Sequence, residues 1–300
     1  MKYRRLGKTG PEIPSIALGA WPFSGAMGAV EEPTAIATVR AAIDQGITMI
    51  DTAQSYRASE SIVGKALADG YRERCFLATK VSNDFSPAAI RTAIENSLRQ
   101  LAVDYVDLYQ IHGWNPKYPV DASMETMEQL RQEGKTRFIG VSNYNAEQMA
   151  LAMNTASFQS VQPCYNMLNR SIELEDIPFC AKHGIGILAY SPLGQGLLTD
   201  TYRPGHRFSD DDYRSERAPF QGEQFTCTIA IADRLREIAS DKGISLVQLA
   251  IAWILRLPEI TCVLVGAKRP DQLQDHQAAV DVCFSNDEMV AIDEVLSNFR

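Results

Sequence analysis

The feature that most constrains this chain is a regular alternation of short apolar runs with longer segments of helical periodicity. Eight runs are rich in β-branched or apolar residues, which is typical of buried strands. Their ends lie 32, 29, 32, 30, 20, 28 and 76 residues apart, and each of the first six intervals holds one helical segment. Such spacing predicts parallel strands joined by helical crossovers. The runs end near Leu18, Ile50, Thr79, Ile111, Val141, Val161, Ala189 and Val265.

The segments between the runs carry recognisable helix signals. Residues 87–102 place their apolar side chains on one face. Pro87 suits the first helical turn, and Ser86 is the expected N-cap. The same periodicity predicts helices over 125–133, 146–153 and 246–257.

The long seventh interval holds more than one unit. Residues 199–225 are rich in Asp, Arg, Pro and Gly and predict a long mobile loop. An additional helix is expected over 226–242, another over Asn286–Ser297, and a short hairpin over 2–13. Together these elements predict one (β/α)8 TIM barrel domain spanning residues 1–300, with an N-terminal hairpin and two extra helices.

A doubly wound α/β sheet is the competing architecture. That fold usually carries a G-x-G-x-x-G motif after an early strand. No such motif is present, and the short Gly184-Ile185-Gly186 stretch precedes a predicted strand. The sequence therefore favours the barrel.

The charge balance restricts the partners of this protein. Lys and Arg number 29 against 37 Asp and Glu, which gives a formal net charge of −8. Nucleic-acid binding is not expected, because neutralising phosphates supplies most of the affinity of such proteins. Net charge describes the whole surface, so one basic strip could still bind an anionic ligand.

Other features of composition predict a cytoplasmic protein without a metal. The first ten residues lack the apolar core of a signal peptide, and the apolar runs are too short to span a membrane. Six cysteines show no C-x-x-C pair, and none of the four histidines forms an H-x-H pair. The sequence shows no heptad repeat and no apolar stripe, so we expect no obligate protein partner.

Polar and aromatic residues follow several of the predicted strands. Singly, such residues are more often helix caps, solvated charges or packing side chains. In a barrel, however, all strand ends meet at the mouth where active sites are built. The residues concerned are, in chain order, Trp21, Asp51, Tyr56, Lys80, His112, Ser142, Asn143, Gln162, Tyr190, Ser191, Gly266, Lys268 and Arg269.

Four of these residues form a combination with a specific chemical use. The phenol of Tyr56 can act as a general acid if the ammonium of Lys80 lowers its pKa from about 10. Asp51 would pair with Lys80 and limit the cost of burying its charge. His112 can donate a hydrogen bond to a carbonyl oxygen beside Tyr56.

An ordered set of motifs surrounds these four residues and resembles the aldo-keto reductase superfamily. The likeness covers almost the whole chain, and the pattern is more similar to bacterial sugar-type and general-stress reductases or potassium-channel β subunits than to aldose reductases. It implies a (β/α)8 barrel that binds NADP(H) and reduces aldehydes or ketones with Asp51, Tyr56, Lys80 and His112. The motifs are IDTAQSY at 50–56, LATK at 77–80, DLYQIH at 107–112, GVSNY at 140–144, VQPCYN at 161–166, AYSPLGQGLL at 189–198 and VGAKRPDQL at 265–273.

The resemblance also implies the cofactor residues. Lys268, where the family often has Arg, would contact the 2′-phosphate. His276 stands where the family usually has Asn, so we expect NADPH to be preferred while NADH remains possible. The nicotinamide would lie on Tyr190, with its carboxamide held by Ser142, Asn143 and Gln162. The remaining implied contacts are Ser191, Leu193 and Gly196 to the pyrophosphate and ribose, and Gly266 and Gln272 to the adenosine end.

The resemblance implies a small carbonyl compound as substrate, and the sequence leaves its identity open. Trp21, Trp114 and the loop over 112–120 would line the outer pocket, where aromatic walls suit an apolar carbonyl or the face of a sugar. The segment 199–225 could form a lid. Two alternatives stay open: an NADP(H)-sensing regulatory subunit with little turnover, and a metal-dependent barrel hydrolase or isomerase.

Overall fold

The computed structural model describes residues 1–297, and in it eight parallel strands close into a barrel. The first barrel strand pairs with both the second and the last, which closes the sheet. Each predicted strand end lies within two residues of the observed one, so the predicted (β/α)8 fold is confirmed. The strands are β3 (Ile16–Gly19), β4 (Met49–Asp51), β5 (Phe76–Val81), β6 (Val106–Ile111), β7 (Thr136–Ser142), β8 (Ser160–Gln162), β9 (Gly186–Tyr190) and β10 (Ile260–Gly266).

Ten α-helices accompany the strands within the described residues. Two of them, α7 and α10, are the predicted extra helices, and they pack against each other. The helices are α1 (Glu32–Asp44), α2 (Ser59–Ala66), α3 (Pro87–Leu101), α4 (Val120–Gln132), α5 (Ala146–Met153), α6 (Asp176–His183), α7 (Gly222–Asp241), α8 (Leu246–Leu255), α9 (Leu273–Ala278) and α10 (Asn286–Ser297).

Two helices begin earlier than the sequence predicts, and one predicted N-cap forms no capping hydrogen bond. Helix α7 begins at Gly222 instead of 226, so the last four residues of the predicted 199–225 loop are helical. Helix α4 begins at Val120 instead of 125, because its first turn is mostly polar or small and shows no apolar period. Ser86 does occupy the N-cap position of α3, but its hydroxyl makes no capping hydrogen bond. Instead, its backbone N–H donates to the Asp84 carboxylate at 2.9 Å.

The N-terminal hairpin closes the bottom of the barrel. Strands β1 (Tyr3–Arg5) and β2 (Glu12–Pro14) pair antiparallel, and Leu6 and Ile13 are buried in the barrel interior beside the inward-facing strand residues. Burying an aliphatic side chain of this size contributes about 1.5–3 kcal/mol. The guanidinium of Arg4 donates to the carbonyl of Leu255 at 2.7 Å, which ties the hairpin to the end of α8. In residues 1–297 this end of the barrel is thus covered, and the opposite end is open.

The segment that follows β9, which we call the β9 loop (residues 191–221), crosses over that open end. It contains no α-helix or strand, as predicted, but it is folded around its own apolar cluster that includes Tyr202 and Phe220. A buried ion pair between Arg214 and Asp212 (2.7 Å) lies within it. The N–H of Tyr213 donates to the carbonyl of Ala26 at 2.9 Å, which connects the loop to the other side of the barrel mouth.

No single helix among residues 1–297 is both long and apolar enough to cross a membrane. Helices α7 and α8 reach the required length and composition only as a pair, and that pair bends by 89°.

Candidate active site

The four predicted catalytic side chains meet at the open end of the barrel. Asp51 ends β4, Lys80 lies near the end of β5, and His112 directly follows β6. Tyr56 follows β4 in the turn that leads into α2. Parallel strand ends bring these separate segments together, which is why residues 61 positions apart share one site.

A buried ion pair forms the base of this site. The ammonium of Lys80 is fully buried and lies 2.5 Å from the Asp51 carboxylate. It also donates to the carbonyl of Thr52 at 2.9 Å. Burial alone would lower the pKa of Lys80, but the opposing charge of Asp51 and the neighbouring Tyr56 raise it above its usual value. Lys80 therefore remains a cation.

Two glutamine side chains hold the second oxygen of Asp51. Gln162 donates to it at 3.0 Å, and Gln110 at 3.3 Å. Sequence reasoning missed Gln110, which is paired with Lys80 across β5 and β6. The available signal was an amide side chain in a strand that is buried along its whole length. Both glutamines fix the orientation of the carboxylate that anchors Lys80.

Tyr56 lies above this pair. The Lys80 nitrogen is 5.1 Å from the centre of its ring. Burial raises the pKa of Tyr56 above its usual value, and the charge of Lys80 opposes that rise without cancelling it. The sequence analysis expected Lys80 to lower the pKa of Tyr56. Lys80 does act in that direction, but the cost of burying a phenolate, which the expectation left out, is larger. The phenol therefore carries its proton at neutral pH.

His112 approaches Tyr56 from the next strand. Its Nε2 atom is 3.5 Å from the Tyr56 hydroxyl, and its Nδ1 atom is 2.7 Å from the hydroxyl of Ser82. Burial and the nearby Lys80 charge lower the pKa of His112 to about 3. The imidazole is therefore neutral at physiological pH and can hydrogen-bond an oxygen without adding charge.

One cavity of about 2320 Å³ connects this cluster with all of the predicted cofactor residues. Its size exceeds the roughly 300–1,000 Å³ of a pocket for one small ligand, so it has room for a cofactor and a substrate. Trp21 lines it, whereas Trp114 is not among the lining residues and packs edge-on against Tyr144. The predicted cofactor residues that line the cavity are Ser142, Asn143, Gln162, Tyr190, Ser191, Leu193, Gly196, Gly266, Lys268, Gln272 and His276.

The predicted carboxamide-binding groups contact one another. Asn143 adopts a left-handed backbone conformation (φ 56°) that turns its amide into the site. Its Nδ2 donates to the carbonyl of His112 at 3.0 Å, and its Oδ1 accepts from the hydroxyl of Tyr190 at 3.0 Å. The hydroxyl of Ser142 donates to the backbone carbonyl of Gln162. The amide that the sequence predicts as a ligand contact is thus held rigidly beside Tyr190.

Basic groups gather where the β9 loop meets the last strand. The ammonium of Lys268 hydrogen-bonds the carbonyl of Met27, and its backbone N–H donates to the side chain of Gln272 at 2.8 Å. Burial, reinforced by the charge of Arg214, lowers the pKa of Lys268. An anion at this position would relieve that repulsion. Arg214, which the sequence analysis did not single out, lines the same cavity, but its guanidinium is engaged by Asp212, Tyr202 and the carbonyl of Gln195.

His276 lies in α9 with only 4% of its surface exposed. Burial lowers its pKa to about 4 from 6.5. Between those values the unfolded chain binds a proton that the folded chain does not, so folding stability must fall as the pH decreases.

We predict that replacing this side chain makes the protein less sensitive to acid. In a His276→Asn variant, the slope of unfolding free energy against pH between 4 and 6.5 should decrease by about 1.4 kcal/mol per pH unit. Urea unfolding of both proteins across this range measures the difference. Parallel pH profiles would contradict the assignment of a buried, neutral histidine.

The chain matches the model of the Aldo/keto reductase family over residues 15–297. It belongs to that family. It is 37% identical to the aldo-keto reductase YhdN of Bacillus subtilis (strain 168), over 99% of this chain and 94% of the relative. It is 30% identical to L-glyceraldehyde 3-phosphate reductase of Escherichia coli O157:H7, over 99% of this chain and 93% of that relative. The structure of glycerol dehydrogenase AKR11B4 from Gluconobacter oxydans aligns with a TM-score of 0.90 and 33% identity. The alignment covers 99% of this chain and 95% of the dehydrogenase.

The family assignment confirms the resemblance read from the sequence motifs. As a member of this family, the protein is an oxidoreductase that acts on carbonyl compounds. Among residues 1–297, no group of three or more His, Cys, Asp or Glu side chains is arranged to hold a metal ion.

Proposed function

We propose that this aldo/keto reductase is an NADP(H)-dependent enzyme that reduces small aldehydes or ketones to alcohols, with Tyr56 as the general acid. The observation that carries the proposal is the convergence of Tyr56, His112 and the Lys80–Asp51 pair at the open end of the barrel. A protonated phenol beside a fixed cation and a neutral imidazole is suited to protonating a developing alkoxide.

The cofactor would supply a hydride from its reduced nicotinamide when bound. Tyr190, Asn143 and Ser142 would hold the nicotinamide and its carboxamide, and Gln162 would contribute its amide. Ser191, Leu193 and Gly196 would contact the pyrophosphate and ribose, with Gly266, Lys268, Gln272 and His276 at the adenosine end. Gly196 has a φ of 100°, and a Cβ there would lie 2.9 Å from the ring of Tyr202, so only glycine fits this turn.

The protein's own part in the reaction is positioning and proton transfer. Lys80 remains charged beside Tyr56 and favours the phenolate that forms when Tyr56 gives up its proton. His112 orients the carbonyl oxygen next to the phenol. Asp51 and its two glutamines hold Lys80 in place, so the charge does not need to reorganise during the reaction.

For the substrate, we propose a small aliphatic or aromatic carbonyl compound, including hydroxylated ones. Trp21 and Tyr213 pack edge to face with ring centres 5.5 Å apart, and both line the cavity that contains Tyr56. The names of two relatives, L-glyceraldehyde 3-phosphate reductase and glycerol dehydrogenase, suggest hydroxylated three-carbon compounds as the first to test. Trp114, predicted as a substrate contact, would act only indirectly, by packing against Tyr144.

We propose that residues 1–300 act as one domain in the cytoplasm, without nucleic acid, membrane or an obligate protein partner. Residues 298–300 lie outside the described part of the chain. The relatives carry enzyme names, so the regulatory alternative gains no support from them.

A panel of carbonyl substrates, assayed with NADPH and NADH in parallel, tests the function. We expect cofactor oxidation with equimolar alcohol production, faster with NADPH at low cofactor concentration. Absence of turnover with every aldehyde and ketone, together with tight NADPH binding, would refute the enzymatic proposal.

Cofactor preference should depend on Lys268. We predict that Lys268→Ala weakens NADPH binding by about 10–100-fold, because a hydrogen bond to a charged group contributes about 1.5–3 kcal/mol. NADH binding should change little, since NADH has no 2′-phosphate. Titration of protein fluorescence with each cofactor measures both affinities, and Lys65→Ala, which removes a surface ion pair with Glu32, serves as the control. An equal loss of affinity for NADPH and NADH would show that the 2′-phosphate binds elsewhere.

A further inference from the structure

A tight turn directly after β9 carries part of the predicted pyrophosphate site. It has the sequence SPLG at 191–194, and we call it the cofactor turn. The Gly194 N–H donates to the Ser191 carbonyl at 3.0 Å, which closes the turn. A proline in second place and the backbone angles of Leu193 (φ −95°, ψ 14°) are typical of a type I turn. The positions of Ser191 and Leu193, two of the proposed cofactor contacts, therefore depend on how this turn is held.

Ser191 has an unfavourable backbone conformation. Its φ of 54° lies in the left-handed region, which residues with a Cβ adopt rarely. The next residue is Pro192, and a proline favours extended backbone in the residue before it. A conformation of this kind persists only where surrounding contacts enforce it, and such positions are common in ligand sites. Some contact outside the turn must therefore hold Ser191.

Asn166, which follows β8, makes that contact. Its Nδ2 atom donates to the Ser191 carbonyl at 2.9 Å. Its Oδ1 atom accepts from the N–H groups of Leu168 and Asn169, both at 2.9 Å. These two donors identify Oδ1 as the oxygen, so the other end of the amide is the donor. Asn166 is only 3% exposed, and both ends of its amide are engaged. It can therefore influence a bound ligand through Ser191 without needing to touch it.

The segment that carries Asn166 is itself well fixed. Residues 166–169, which we call the support turn, are closed by two backbone hydrogen bonds of 3.1 Å between Asn166 and Asn169. Leu168 lies between them and packs against the cofactor turn, where a Cβ on Gly194 would lie 3.3 Å from its Cδ1 atom. The support turn is thus a platform for the cofactor turn, and the Asn166 amide hydrogen-bonds the two together.

We propose that Asn166 is a positioning residue for the cofactor, because it holds Ser191 in the left-handed conformation that the pyrophosphate site requires. The inference rests on the proposed function, which places the pyrophosphate at the cofactor turn. NADPH and NADH share the pyrophosphate, whereas only NADPH has the 2′-phosphate predicted to contact Lys268. Asn166 should therefore affect both cofactors equally and leave proton transfer from Tyr56 unchanged.

Two substitutions of Asn166 share a single loss, the Nδ2 donor. Asn166→Asp keeps an oxygen that can accept from Leu168 and Asn169, so the support turn should remain folded. Asn166→Ala also removes that acceptor but adds no charge. If Asn166→Ala destabilises the protein, Asn166→Asp still provides the test. Asn154→Asp is the matched control for the added charge, because Asn154 is exposed at the end of α5.

Fluorescence titration of the free protein with NADPH and with NADH gives the first readout. We expect both dissociation constants to rise by the same factor, because affinity decreases with the fraction of protein whose turn is in the binding conformation. The increase should be about 3–10-fold in Asn166→Ala. It should be about tenfold or more in Asn166→Asp, where a carboxylate faces the Ser191 carbonyl. Asn154→Asp should bind both cofactors as the wild type does.

Steady-state kinetics should show the same division. The KM for the cofactor should rise in both Asn166 variants, while kcat at saturating cofactor should not fall below the wild-type value. If Asn166 serves only the stability of the fold, the free energy of unfolding in urea will decrease and the dissociation constants of the folded variants will equal those of the wild type. That result would refute the proposal, as would a loss of affinity for NADPH alone.

A further readout needs neither cofactor nor turnover. Hydrogen–deuterium exchange at the Gly194 N–H reports how often its bond to the Ser191 carbonyl opens in the free protein. We expect exchange at Gly194 to be faster in both Asn166 variants, by about tenfold or more in Asn166→Asp. Asn154→Asp should exchange at the wild-type rate. Unchanged exchange in Asn166→Asp would show that Asn166 does not hold the turn.

Failure of the proposed function would give a different pattern. A wild type that binds both cofactors but turns over no carbonyl would refute the function and leave the role of Asn166 standing. A wild type that binds neither NADPH nor NADH would refute both.

Discussion

Replacing Tyr56 by Phe should reduce kcat/KM by about 10²–10⁴-fold, the usual contribution of a positioned general acid. The variant removes one oxygen atom and leaves the ring in place, so the ring contacts with Lys80 and His112 persist. Only the proton that the substrate oxygen must receive is lost. Steady-state assays with the best carbonyl substrate measure the decrease.

Cofactor affinity separates this effect from a general loss of structure. The predicted cofactor contacts lie on later strands, so the dissociation constant for NADPH in Tyr56→Phe should equal that of the wild type. Tyr105→Phe is a suitable control because Tyr105 precedes β6 at the sealed end of the barrel. It should retain full activity. Turnover of Tyr56→Phe at the wild-type rate would show that another group protonates the substrate.

Replacing Lys80 by Met should damage both stability and activity. The substitution leaves the Asp51 carboxylate buried, 3% exposed, without its cationic partner. Breaking a buried ion pair in this way costs about 3–5 kcal/mol of folding stability. Activity should also decrease by about 10²–10⁴-fold, because the phenolate of Tyr56 loses the only cation near it in the described structure and its proton becomes harder to donate.

The double variant Lys80→Met/Asp51→Asn separates the two consequences. Neutralising both partners removes the uncompensated charge, so the free energy of unfolding should recover most of what Lys80→Met lost. Activity should not recover, since the cation beside Tyr56 is still missing. Urea unfolding and steady-state kinetics on the same three proteins provide the comparison. Recovery of activity in the double variant would mean that Lys80 acts only as a partner for Asp51.

The sequence predicts the barrel well because its signals are local. Each strand is a short apolar run, and each run ends in a residue whose position at the mouth follows from parallel topology alone. Asp51, Lys80 and His112 could be placed together on this basis, and the structure does bring them together. Tyr56 follows the same strand as Asp51 and was included for its chemistry.

Features that depend on tertiary contacts were missed or altered. The role of Gln110 depends on the fold, because its side chain donates to the carboxylate of Asp51 across the barrel. Arg214 and Tyr213 belong to a loop whose apolar cluster determines where they lie, and no period in the sequence encodes that path. Trp114 packs against Tyr144 instead of lining the cavity, because an aromatic residue after a strand can turn either way.

The central claim is that reduction occurs at the site beside Tyr56 with a reduced nicotinamide as the hydride donor. The most direct measurement uses NADPH carrying deuterium on either face of the nicotinamide C4 atom, in two separate reactions with one aldehyde. Mass spectrometry of the alcohol then shows whether deuterium reached the former carbonyl carbon. Our account predicts one deuterium in the alcohol from one labelled face only with the wild type, and formation of that alcohol about 10²–10⁴-fold more slowly with Tyr56→Phe. Alcohol formed without deuterium from either face would contradict it.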